Sequence, residues 1–243
     1  MSEITNNDYE LAWDLTQSDF SVRLANNILV YKNTNKKTIK TVLDICCKTS
    51  NMLNVFSIGN IKCFGYETNK SMLDYSEKKY PKFNFKLSSK ISEIPFKSAF
   101  DLITCCHDVI NDLNNLVEVS TLFKNVFKHL SNHGMFIFDF MTKIENEQPK
   151  TSYELKSNVD CVTQFKPINS TQATIINTFY INNEDGETIK ANRAVRKYFY
   201  TNSEIIDELK KAGFKNISIV NENLSTLSSY DKEKRIYVIA MKK

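Results

Sequence analysis

"VLDICCKTSN", residues 42–51, decides how this chain is read. An apolar run ends on Asp44, two cysteines follow, and Lys48-Thr49-Ser50 leads into the next segment. A strand that gives way to a helix through a tight turn is the shape of a nucleotide-binding or cofactor-binding loop in an open α/β sheet. Glycine normally serves there, because the backbone must adopt left-handed angles and approach a ligand closely. This turn has none: the five glycines are Gly59, Gly65, Gly134, Gly186 and Gly213.

Outward from that turn, short β-rich runs alternate with helical stretches, the grammar of parallel βαβ units. The predicted strands are 41–47, 61–67, 83–87, 100–106 and 134–140. Between them, 69–80 and 116–130 carry apolar residues at helical spacing, the second with Leu116, Val119, Leu122, Phe123, Val126, Phe127 and Leu130 on one stripe. "SNHG" (131–134) reads as the turn into the next strand. From about 150 to 200 the pattern becomes antiparallel, with a hairpin expected at Glu184-Asp185-Gly186. The α/β pattern then returns as a helix over 201–214, with Thr201, Asn202 or Ser203 as N-cap and Gly213 as its stop, followed by two strands.

Composition narrows the class. The 243 residues are 42% hydrophobic and 25% charged, which excludes disordered and collagen-like chains. Net charge is +4, from 32 basic and 28 acidic residues, with the lysines scattered. No clustered basic face is legible, so no nucleic-acid partner is expected. Apolar runs such as 135–141 are too short to span a bilayer, so no membrane partner is expected either. Six cysteines behind an N-terminus unlike a signal peptide point to reduced thiols and a cytoplasmic location. Cys46, Cys47, Cys105 and Cys106 read as small buried residues. Paired C-x-x-C spacing is missing, so no metal site is expected.

Ligands of open α/β sheets bind beyond the carboxyl ends of the strands. The strand ends here offer Asp44, then Glu67, then Cys106-His107-Asp108 with Asn111 and Asp112 nearby. A carboxylate such as Glu67 suits both hydroxyls of a ribose.

These residues resemble the class I S-adenosylmethionine-dependent methyltransferases, specifically small bacterial ones with a C-terminal β insertion. "VLDICCKTSN" is similar to V-L-D-L-[AG]-C-G-T-G-N, "GYETNKSML" to G-V-D-x-S-x-x-M-L, "FDLITCCHDVINDL" to F-D-L-[IV]-x-C-x-x-D-x-x-N-x-L, and "LSNHGMFIFDF" to L-x-x-G-G-x-F-I-F-D. The resemblance implies a Rossmann-like, doubly wound, mostly parallel seven-stranded sheet with an antiparallel β insertion. It places an α/β domain over 1–142 and 201–243, with an N-terminal lid over 1–35, and the insertion over 143–200, covering the active-site cleft. It implies S-adenosyl-L-methionine as cofactor, held by Asp44, Cys46, Lys48, Ser50, Glu67, Thr68, Met72, Lys90, Ile91 and Cys106.

Methyl transfer needs in-line positioning and the removal of one proton. His107, Asp108 and Asp112 are the catalytic candidates, with Tyr9, Trp13, Arg193 and Arg196 on the substrate side. The expected activity is methylation of a small-molecule N or O nucleophile. The departures fall on the cofactor. Lys48 and Ser50 stand at glycine positions, Cys46 at an Ala or Gly, and Lys90 where an acidic residue would meet adenine. The cofactor's sulfonium is cationic, so these lysines predict weak binding, micromolar or poorer. The alternative is a fold that has lost methyl transfer and binds another ligand or a protein partner.

Overall fold

A computed structural model describes residues 8–142, 149–156, 158–182, 187–227, 229–230 and 233–243. The chain opens with a long helix, α1 (Asp8–Thr34), and then alternates: β1 (Thr41–Ile45), α2 (Asn51–Ile58), β2 (Lys62–Glu67), α3 (Lys70–Lys79), β3 (Asn84–Leu87) and β4 (Phe100–Cys105). A 3-10 turn (Val109–Asp112), α4 (Leu116–His129) and β5 (Leu130–Met141) follow. Four strands, β6 (Lys150–Lys156), β7 (Val159–Asn169), β8 (Gln172–Asn182) and β9 (Thr188–Tyr198), precede α5 (Asn202–Ala212), β10 (Asn216–Val220) and β11 (Arg235–Met241).

Seven strands form one sheet in the order β10-β11-β5-β4-β1-β2-β3. β1 lies between β2 and β4, parallel to both, while β11 runs antiparallel to β5 and β10. This is the mostly parallel architecture that the alternation of apolar runs and helical stretches implies. α4 and α5 cover one face over a phenylalanine-rich layer that includes Phe100, Phe123, Phe136, Phe138 and Phe214. α1 and α2 cover the other over Leu24, Ile28, Leu53, Phe56 and Ile137. Burial on both faces explains why β1, β4 and β5 read as continuous apolar runs.

β6 to β9 form a separate antiparallel sheet in chain order. The hairpin expected at 184–186 falls outside the described residues. Among the described residues no helix is long and apolar enough to cross a membrane.

One local expectation is corrected. "SNHG" is not the turn into β5 but part of it: the strand starts at Leu130, paired with Phe100, and absorbs an irregularity before Leu102 with His133 in a left-handed conformation (φ 64°). Ser50 occupies the N-cap position of α2 with a left-handed backbone (φ 60°) and makes no side-chain capping hydrogen bond. α5 behaves as expected. Thr201 and Glu204 form a reciprocal capping box, and Gly213 ends the helix at φ 110°.

Gly65 sets how closely β2 approaches the loop after β1. A Cβ there would stand 2.8 Å from Cys47 Sγ and 3.1 Å from both Leu53 Cδ1 and Phe85 Cε1. Gly65→Ala should therefore destabilise the protein by about 1–3 kcal/mol through overpacking. Denaturant unfolding measures this, and unchanged stability would show that β2 moves aside freely.

Candidate active site

The loop after β1 keeps the backbone of a glycine-rich turn without its glycines. Cys46, Lys48 and Ser50 all have positive φ, at 52°, 50° and 60°. Each such residue costs a side-chain-bearing amino acid roughly 1–2 kcal/mol. Glu67, only 2% exposed at the end of β2, offsets that cost. Its Oε1 accepts the Lys48 backbone N–H at 3.0 Å, and its Oε2 accepts those of Thr68 (3.0 Å) and Asn69 (3.3 Å). Hydrogen bonds to a charged acceptor contribute about 1.5–3 kcal/mol each. The Lys48 ammonium also faces Glu67 Oε1, at 3.9 Å. Burial opposes the charged form of Lys48, yet Glu67 and the more distant Asp112 and Asp108 raise its pKa above the usual lysine value. Asp44, deeper in β1, accepts the Thr104 hydroxyl at 2.7 Å. Burial lifts its carboxyl to about 7, with the Glu67 charge adding to the rise.

A cavity of about 530 Å³ opens between the carboxyl ends of the parallel strands and the antiparallel sheet. Alternate residues of that sheet, Cys161 and Thr163, Asn177 and Phe179, and Arg193, Val195 and Lys197, face it, following the two-residue period of strands. α1 supplies Tyr9, Trp13, Gln17 and Phe20. The helix is held in place by its two buried acids. Asp14 accepts from Asn51 (2.6 Å), Lys79 (2.5 Å) and Tyr75 (3.0 Å), while Glu10 meets Ser71 and Arg193, the latter at 3.0 Å.

The floor of the cavity is a buried ionic network. Lys197 Nζ lies 2.6 Å from both Asp108 Oδ2 and Asp112 Oδ1. Arg235 bridges Asp108 Oδ1 (2.9 Å) to Asp139. Burial works against the Asp108 carboxylate, but Lys197 and Arg235 hold its pKa well below the usual range. Burial prevails at Asp112 and raises its pKa against the pull of Lys197 and Lys48. Beside them Asn111, wholly buried, donates to the Met141 and Tyr198 carbonyls and accepts the Met141 N–H, stitching β5 to β9.

The residues singled out from sequence thus separate into groups. Lys48, Met72, His107, Asp108, Asp112, Tyr9, Trp13 and Arg193 meet at the cavity. Arg193 is already stacked on Tyr9, 4.0 Å from the ring centre, and paired with Glu10. Asp44, Cys46, Ser50, Glu67 and Cys106 lie buried behind it, and Thr68 is exposed at its strand end. Lys90 is on the surface beside Glu93, and the Ile91 carbonyl accepts the Tyr66 hydroxyl. Arg196 is exposed on the opposite face of β9, because its neighbours Arg193, Val195 and Lys197 have the cavity-facing parity. Lys197 and Arg235 went unread in sequence; the two-residue parity of β9 is the signal that would have chosen Lys197 over Arg196. Among the described residues no group of His, Cys, Asp and Glu is arranged to hold a metal ion.

His107 is packed against Phe20 and Trp13, and its Nε2 lies 2.8 Å from Ser21 Oγ. Burial and the nearby Lys48 charge lower its pKa from 6.5 to about 3. Between those values the unfolded chain binds a proton at this histidine and the folded protein does not, so stability rises with pH across the window. Acidification from pH 6.5 towards 3 should cost up to about 1.4 kcal/mol per pH unit at this site, and His107→Gln should flatten that dependence. Thermal unfolding across the window provides the check, and an equally steep profile in the variant would count against a neutral buried His107.

The comparisons with known proteins agree with this geometry. A family profile described as a methyltransferase domain matches residues 43–138. No curated protein sequence matches the chain. Among solved structures, an S-adenosylmethionine-dependent methyltransferase from Clostridium acetobutylicum is 19% identical, covering 97% of this chain and 98% of its own, with a TM-score of 0.83. DesVI from Streptomyces venezuelae is 13% identical over 100% of both chains, with a TM-score of 0.81. A SAM-bound amino pentose methyltransferase of Micromonospora echinaspora, involved in calicheamicin biosynthesis, is 15% identical over 100% of both, at 0.74. Residues 43–138 thus match a methyltransferase-domain profile, and the whole chain has the fold of the class I S-adenosylmethionine-dependent methyltransferases.

Proposed function

We propose that the protein transfers the methyl group of S-adenosyl-L-methionine to a nitrogen or oxygen nucleophile of a small molecule held in the cavity. The observation that carries this reading is the cavity itself. At about 530 Å³, bounded by strand ends, α1 and the antiparallel sheet, it is sized for a small molecule. The fold is shared with an amino pentose methyltransferase, which supports an acceptor of that scale.

The residues present fit the cofactor. The left-handed backbone at 46, 48 and 50 retains the open curve that such a ligand needs, and Glu67 waits at the end of β2 with its carboxylate oriented by three backbone N–H groups. Glu67 would receive the ribose, with Met72 and the Lys48 loop along its length. The bound cofactor supplies an electrophilic methyl group on a cationic sulfur. The protein supplies position and a proton acceptor. Asp112 is the better placed acceptor, since burial raises its pKa towards the range useful for proton transfer. Asp108, locked by Lys197 and Arg235, stays ionised and orients the floor. His107, uncharged and engaged with Ser21, forms wall rather than base. Trp13, Tyr9 and Phe179 exclude water around the acceptor.

Methyl transfer from labelled cofactor to a panel of small amines and alcohols tests the activity, and calorimetry tests the cofactor. Asp112→Asn should lower kcat by about 100-fold while moving the cofactor Kd by less than about threefold. Equal activity of wild type and variant would remove Asp112 from the role.

A further inference from the structure

Among the described residues four cations line the cavity, and three of them are locked. Arg193 is held by Glu10 and the Tyr9 ring, Lys197 by Asp108 and Asp112, and Arg235 by Asp108 and Asp139. Lys48 differs. Its ammonium stands 3.9 Å from Glu67 Oε1, the outer limit of an ion pair, and shares that oxygen with its own backbone N–H. A carboxylate offers about four acceptor positions. Three of those of Glu67 are taken by backbone N–H groups, and this ammonium stands beside the fourth, beyond hydrogen-bond distance. The backbone groups belong to the turns on either side and cannot leave without unfolding them. Lys48 Nζ is therefore the neighbour that a ligand hydroxyl reaching the fourth position would push aside.

Once displaced, the ammonium remains in the cavity, because a four-carbon stem tethers it to a fixed backbone. Resting on the methyltransferase reading above, we propose that Lys48 is a charge filter. It cancels the preference that Glu67 alone would give a positively charged cofactor sulfur over the neutral thioether left after transfer. With glycine at this position the Glu67 carboxylate would face the ligand unneutralised; with lysine the pair sums to zero before the ligand arrives. Two like charges sharing a cavity of this size repel enough, at the dielectric of a partly buried site, to change relative affinity by tenfold or more. The two forms of the cofactor share every atom but the methyl group, so size plays almost no part in the difference.

Calorimetric titration of S-adenosylmethionine and S-adenosylhomocysteine into wild type, Lys48→Met and Lys48→Arg tests the proposal. Methionine keeps the length of the stem and drops the charge; arginine keeps the charge. The wild type is expected to bind the two forms within about threefold of each other, and Lys48→Met to favour the sulfonium form by about tenfold through tighter binding of that form alone. Lys48→Arg should keep the wild-type ratio. Binding of both ligands with the same ratio in wild type and Lys48→Met would overturn the charge filter and leave the methyltransferase reading standing. Binding of neither ligand to any of the three, each folded by circular dichroism, would overturn that reading and the filter with it.

Discussion

The cavity exists because one buried ammonium satisfies two carboxylates from a different sheet. Lys197 belongs to β9, whereas Asp108 and Asp112 sit on the turn after β4, and both ion pairs are 2.6 Å long. Removing one partner from such a group leaves an uncompensated buried charge, a cost of about 3–5 kcal/mol. That is a large part of the margin by which a domain is stable. Asn111 reinforces the same joint with three backbone hydrogen bonds. The antiparallel sheet is thereby held over the strand ends at a set height, and every contact that a substrate could make depends on that spacing.

Around this joint the site separates groups that must stay charged from groups that need not. Asp108 and Asp112 share a cation, yet their pKa values move in opposite directions. Asp108 has two direct ion-pair partners against its burial, whereas Asp112 has one, Lys197, with Lys48 acting from farther off. Neighbouring carboxylates made unequal by their surroundings are a recurring arrangement where one group positions and the other exchanges a proton. His107 is driven the other way, into its uncharged form, by burial and by Lys48.

The loop after β1 holds a left-handed backbone without the glycines that make one easy. Three side-chain-bearing residues hold left-handed angles there, with Glu67 as the compensating acceptor. The same carboxylate that stabilises the turn also stands beside the side chain of Lys48. The shape of the turn and the charge beside it thus depend on one carboxylate.

The order of strands and helices was legible in the chain, because apolar periodicity is a local property and survives without glycine. The strand-end acids Asp44 and Glu67 and the cluster from His107 to Asp112 were legible too, since sheet topology places strand ends together. What escaped was decided by contacts between distant segments. α1 hides two acids, Glu10 and Asp14, that look like surface residues until Arg193, Asn51, Tyr75 and Lys79 are brought to them. Lys197 rather than Arg196 entered the cavity because strand register selects alternate side chains, and register is set by pairing across β8 and β9. The charge at Lys48 could be read from sequence, but where it points could not. That depended on a carboxylate nineteen residues away, delivered to the same loop only when β1 and β2 pair.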